Sequence, residues 1–352
     1  MSFTSFLQEF NRIATVAARA PLQAALARQL NQSATAARKT WPEKLENLLV
    51  LVLPLAARID ISVDAPKCLT KNVVGVQQAV SYATDYLRST HASGFANRDY
   101  FMNDGAFVPL VALQDCAGIS SLKDIKAMNV LHIFDHEIGH LVVKGGYPDF
   151  ESEGHLGECA ADAYAMLRHI QRFGLQSGFF EYYKRADQVV LGISPIHYTN
   201  IVNEKVKQVA ESRDISRLSL RETAKLAGEI AMIYALTPAI LQKISAAFCH
   251  VQACCRRLPD NDPDKWPRIF RETMYAMKLH SGNPDIVAAG KSFLLQPDNA
   301  DYIKNAAAGG AYGMDDVCDF MGQFETKPVP PQIQHNPGKI AAKLRCLLTP
   351  RG

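Results

Sequence analysis

Within the run VLHIFDHEIGHLVV, His136, Glu137 and His140 spell out HExxH. Four residues of helix turn through about 400°, so the two imidazoles emerge about 40° apart and about 6 Å along the axis. Both rings can then reach one zinc ion at about 2.0–2.1 Å. Glu137 adjoins the first ligand but leaves the ligand face, which suits a carboxylate that takes a proton from water instead of binding the metal. Leu131, Ile133, Phe134, Ile138, Leu141 and Val142 give the same helix an apolar body. Burying two imidazoles and a carboxylate there without partners would be costly, so the trio is expected to have a use.

A catalytic zinc needs a third protein ligand and one open position. Lys144 to Pro148 end the helix, and a second helix follows, with Glu158 in its first turn and Asp162 one turn later on the same face. An αα-hairpin can return Glu158 to the metal and leave Asp162 to accept the free N–H of a ligating imidazole. Glu151, Glu153 and His155, in the connection, are nearer in sequence and compete for the third place. From Asp135 to Asp162 there are seven carboxylates and one cation, Lys144, an acidity that favours a divalent ion.

The segment resembles the gluzincin metallopeptidases, the thermolysin-like clan, in which a Glu on the next helix and an Asp four residues beyond it follow HExxH. Seventeen residues separate His140 from Glu158, close to the gap typical of that clan. Glu158, Ala161, Asp162, Tyr164 and Ala165 are similar to the E-x-x-A-D-x-aromatic-A helix of several members. The likeness covers about 40 residues. It implies one zinc per chain held by His136, His140 and Glu158, with Glu137 as general base, Asp162 as partner of a ligating imidazole, and a peptide bond as the target. It also implies a downstream Tyr or His that stabilises the oxyanion. His197 and Tyr198, in SPIHYTN, are the first choice, with Tyr234, His250 and Tyr275 open.

Two other functions fit the same residues. One is a specialised effector or toxin protease that cleaves a single protein of another cell. The other is a non-catalytic zinc-binding regulatory protein, which a fourth protein ligand from Glu153 or His155 would favour. His132 completes an i, i+4, i+8 series, but the first and last members of such a series are about 12 Å apart by rise alone. His132 is therefore read as supporting a ligand or filling core.

The elements that position these residues are mostly helical. Helical periodicity marks 74–87, 121–143, 157–173 and 219–250, the last with a bend at Thr237 and Pro238. Strand signals are confined to RIDISV and to GAFVPLVAL before the HExxH helix, where Pro109 argues for an edge. An extended protein or peptide substrate could add there as a further strand. The expected fold is α+β, predominantly helical with a small sheet. Its parts are a basic amphipathic segment over 1–40, a zincin-like catalytic region over 41–200, a helical part over 201–325 and a Pro-containing tail over 326–352. DNDPDKWP, SGNPD and QPDNAD should interrupt helices in the third of these.

Of the 352 residues, 48% are hydrophobic, which excludes disorder and small disulfide scaffolds. A net charge of +3 gives no basis for nucleic-acid binding. No Walker A run or dinucleotide fingerprint occurs, and the longest uncharged apolar run, 230–242, is too short to span a bilayer. Eight cysteines without a CxxC pair fit reduced thiols in a cytoplasmic chain. Cys249, Cys254 and Cys255, beside His250, read as thiols buried against the core. The first forty residues carry Arg12, Arg19, Arg28, Arg38 and Lys39 against Glu9. They lack the continuous apolar stretch of a Sec signal, yet would fit an export address or a transit segment.

Overall fold

The computed structural model describes residues 21–45, 51–53, 58–59, 73–74, 110–112, 121–143 and 154–309. The expectations for a helix over 74–87 beyond Val74, for residues 1–20 of the basic segment, for the tail over 326–352 and for Glu151 and Glu153 fall outside them.

Helices α1 (Pro21–Thr40) and α2 (Pro42–Leu45) lead to short extended pieces, and α3 (Ile125–Val142) and α4 (Gly154–Phe173) follow. Next come α5 (Phe179–Tyr182), α6 (Ala186–Val190), a 3-10 turn (Pro195–His197), α7 (Asn200–Ser212) and α8 (Leu220–Tyr234). The described chain ends with α9 (Pro238–Ala247), α10 (Cys249–Arg257), α11 (Lys265–Leu279), α12 (Pro284–Leu294) and α13 (Pro297–Ala308). Punctuation residues set several of these limits. The Thr237 hydroxyl accepts from Ile240 N–H, and the Asn283 amide oxygen from the N–H groups of Asp285 and Ile286, each just ahead of a proline in the first turn. Ser219 and Glu222 cap each other's backbone N–H at the start of α8, a capping box written as S-x-x-E.

The small sheet expected from the sequence does not form, and the fold is helical rather than α+β. Extended backbone among the described residues consists of Leu51–Leu53 paired in parallel with Leu110–Ala112, and Arg58–Ile59 paired antiparallel with Val73–Val74. Two separate pairs of two or three residues are not a sheet layer, since a lone two-stranded pair is marginal by itself. The reason lies in the signal: RIDISV and GAFVPLVAL each offer only a few suitable residues, and strand preference depends on neighbours to pack against. Among the described residues no single helix is long and apolar enough to cross a membrane.

The chain forms two compact units, with α4 and α8 each contributing to both. The first contains α1, α2, α3, α4 from Tyr164 and α8 as far as Lys225. Leu26, Leu30, Ala34 and Ala37 turn one face of α1 inward, and Trp41 meets Tyr164 edge to face at 6.4 Å. From α3 come Ala127, Met128, Leu131, Phe134, Ile138 and Val142, all buried. One ion pair ties three helices together. Arg172 grips both oxygens of Asp135, with Nη2 at 3.0 Å from Oδ1, and the same nitrogen lies 3.1 Å from Ser33 Oγ on α1. In the second unit α6 and α9 to α12 enclose Val189, Val190, Ile244, Phe248, Phe270 and Phe293. Cys254 and Cys255 pack partly buried against that core, whereas Cys249 is exposed, contrary to the expectation for all three.

His132 and His169 are both buried, at 1% exposure, in the first unit. Burial, with help from His132 and Arg172, pushes the His169 imidazole down to about 3. The unfolded chain takes up this proton near pH 6.5, while the folded chain refuses it until about pH 3. Stability should therefore fall with acidification across that window, by up to about 1.4 kcal/mol per pH unit. Urea unfolding from pH 7 to 4 in a chelator should show a shallower loss for His169→Leu than for wild type. Equal slopes would mean that His169 is not held neutral.

Candidate metal centre

Helix α3 presents His136 and His140 side by side, because their four-residue spacing brings both rings to one face. Their Nε2 atoms are 3.1 Å apart, with the ring planes at 88° and the centroids 4.7 Å apart. Two nitrogens bound to one tetrahedral ion at 2.0–2.1 Å would be about 3.4 Å apart, so the pair is already set for a shared metal. His136 is buried and Glu137 and His140 are half-buried. Ligand atoms of His136, His140 and Glu158 all lie within 4.8 Å of one another. Two imidazoles and a carboxylate are a donor set suited to zinc, so this His/His/Glu group could hold a metal ion.

Glu158 lies in the first half of α4, and its surroundings are built by the segment that follows. Its Oε2 is 3.3 Å from His197 Nε2 and 3.6 Å from Arg185 Nη1. On the other side of the same ring, His197 Nδ1 lies 2.7 Å from Ser194 Oγ. One turn along α4, Asp162 is fully buried. It accepts from Tyr183 Oη at 3.2 Å, from Arg185 Nη1 at 3.2 Å and from the Thr199 hydroxyl. Burial works against the Arg185 cation, yet Asp162, Tyr183 and Glu158 together hold its pKa above the usual guanidinium value. Burial, followed by the charge of Asp162, pushes the Tyr183 phenol well up.

His155, a competitor for the third ligand position, faces elsewhere. Its Nδ1–H donates to the Ile196 carbonyl at 2.6 Å, and its Nε2 lies 3.5 Å from Cys159 Sγ. Burial pushes its pKa below the ordinary value, with the Ile196 bond opposing. Burial and then the carboxylates of Asp162 and Glu158 raise the Cys159 thiol well above its usual range, which makes it inert. His155 thus fastens α4 to the turn that carries His197.

Of the two first-choice oxyanion donors, His197 stands beside Glu158 and Tyr198 is buried in the apolar core of the second unit. Burial and then Asp285 push the Tyr198 phenol up. Tyr234 lies under the Lys205 ammonium, while His250 and Tyr275 are exposed. Arg185 and Thr199 were not legible as part of this cluster. Thr199 precedes a helix, a position where a cap is common, and Arg185 lies in YYKRADQ, where nothing in spacing sets it apart. Compared with protein-family models, curated proteins and solved structures, the chain matches none.

A side chain that only fastens a turn is dispensable for metal. His155→Phe should retain the metal stoichiometry of the wild type by atomic absorption, whereas His136→Ala should lose it. Loss of metal in His155→Phe would make His155 a ligand.

Proposed function

We propose that this chain is a zinc-dependent metallopeptidase. The observation that carries the reading is the convergence of His136, His140 and Glu158, with Glu137 placed between the two histidines on α3. The resemblance to the gluzincins points the same way. Zinc at such a site supplies Lewis acidity to a scissile carbonyl and lowers the pKa of the attacking water. The residues of the chain do the rest. Glu137, half-buried and outside the ligand group, takes the proton from the attacking water and returns it to the leaving amine. His197, whose Nε2 lies 3.3 Å from Glu158 Oε2, is the nearest of the candidate donors to the third ligand and is assigned to the developing oxyanion.

A structural zinc is usually closed by four protein ligands. The group here has three members among the described residues, and His155 is engaged with Ile196. The engagement of His155 supports a site with an open coordination position, and so a catalytic role. The substrate class is a protein or peptide. Strand addition beside Leu110–Ala112 would extend a pairing of only three residues, so binding is expected to depend on side chains more than on a sheet edge.

Glu137→Gln separates binding from chemistry. The variant should keep one zinc per chain and lose about 10²- to 10⁴-fold of its peptide-cleaving rate, measured on a mixed peptide library by mass spectrometry. Cleavage at the wild-type rate would remove Glu137 as the base.

A further inference from the structure

Arg185 has no task in the chemistry just described, yet it is the most firmly held charge near Glu158. One nitrogen, Nη1, is 3.2 Å from Asp162 Oδ2 and 3.6 Å from Glu158 Oε2. Its guanidinium carbon lies 5.6 Å from the centre of the Tyr183 ring, and its backbone N–H donates to Asn200 Oδ1 at 2.8 Å. Asp162 is itself immobilised by Tyr183 and Thr199. The Arg185 side chain is 23% exposed, against 13% for Glu158 and 0% for Asp162.

Carboxylates four residues apart on one helix face repel each other, and burial strengthens the repulsion because solvent screens it less. A cation between them offsets it. Arginine suits this position, since its planar fork stays charged and can serve two oxygens at fixed angles. The same neutralisation argues against a role in gripping the carboxylate of a substrate, because the guanidinium charge is already matched within the chain.

We propose that Arg185 is a positioning residue for the third metal ligand: anchored on Asp162 and Tyr183, it holds the Glu158 carboxylate in place. The inference rests on the zinc reading above and concerns how the ligand is held. Partners that orient a ligand typically change metal affinity by about 10- to 100-fold when removed. The sign of the effect decides the matter. A bystander cation this close to a ligand would oppose the metal by simple repulsion, so its removal would tighten binding. A positioning residue gives the reverse.

The test is zinc affinity of the full chain by competition with a chromophoric chelator, with the visible spectrum of the cobalt-substituted protein alongside. Arg185→Met should bind zinc about 10- to 100-fold more weakly and show an altered cobalt spectrum. Arg185→Lys, which keeps the charge but not the fork, should fall between. Unchanged or tighter zinc binding in Arg185→Met would overturn the proposal. If that variant does not fold, Arg185→Lys carries the test: zinc binding weaker than wild type supports the proposal, and unchanged or tighter binding overturns it. Wild-type protein that binds no zinc would instead overturn the underlying metal reading.

Discussion

Two imidazoles on one helix can share an ion only with a third ligand brought to them by another element, and here that element is α4. The helix runs unbroken from Gly154 to Phe173, about 30 Å by rise. Near its end Arg172 is locked to Asp135, the residue before His136. In its first half it carries His155, Glu158, Cys159 and Asp162. A carboxylate carried on a helix is held with less ordering cost than one carried on a loop. Breaking a buried ion pair such as Arg172–Asp135 leaves a charge without a partner and costs several kcal/mol, so the Arg172 end of α4 is firmly held to α3.

The segment after α4 completes the surroundings of Glu158. His155 binds the turn at Ile196, the turn presents His197, and Asp162 gathers Tyr183, Arg185 and Thr199. None of these bonds is a metal ligand, but each restricts how Glu158 and His197 can move. Five of the polar groups involved, Tyr183, Arg185, Ile196, His197 and Thr199, come from the segment 183–199, whose helices are short and whose directional bonds to α4 add to its order.

The HExxH pair was readable because helical spacing decides which residues share a face, whereas Glu158 stood out from its competitors only through its Asp162 partner one turn on and the resemblance to the gluzincins. The helix limits were readable for the same kind of reason. Thr237 with Pro238 read as a bend and Asn283 with Pro284 as a helix break, and in the structure each pair caps and begins a new helix. Arg185 was not readable, since its partners are 23 and 27 residues away in sequence and nothing local marks it. The sheet was misread because a few alternating residues in RIDISV and GAFVPLVAL satisfy the local rule for a strand while saying nothing about whether enough neighbours exist to pair with. Tyr198 and His197 are adjacent and equally suited by type to donate a proton, and only packing separates them, one beside Glu158 and the other in the core.

The central claim is that Glu158, on a different helix from the two histidines, completes a metal site with them. Zinc content of purified wild type against Glu158→Ala tests it most directly. One zinc per chain in the wild type and a substoichiometric amount in the variant, with helical content unchanged by circular dichroism, is the expected result. Full zinc occupancy in Glu158→Ala at the same affinity would contradict it.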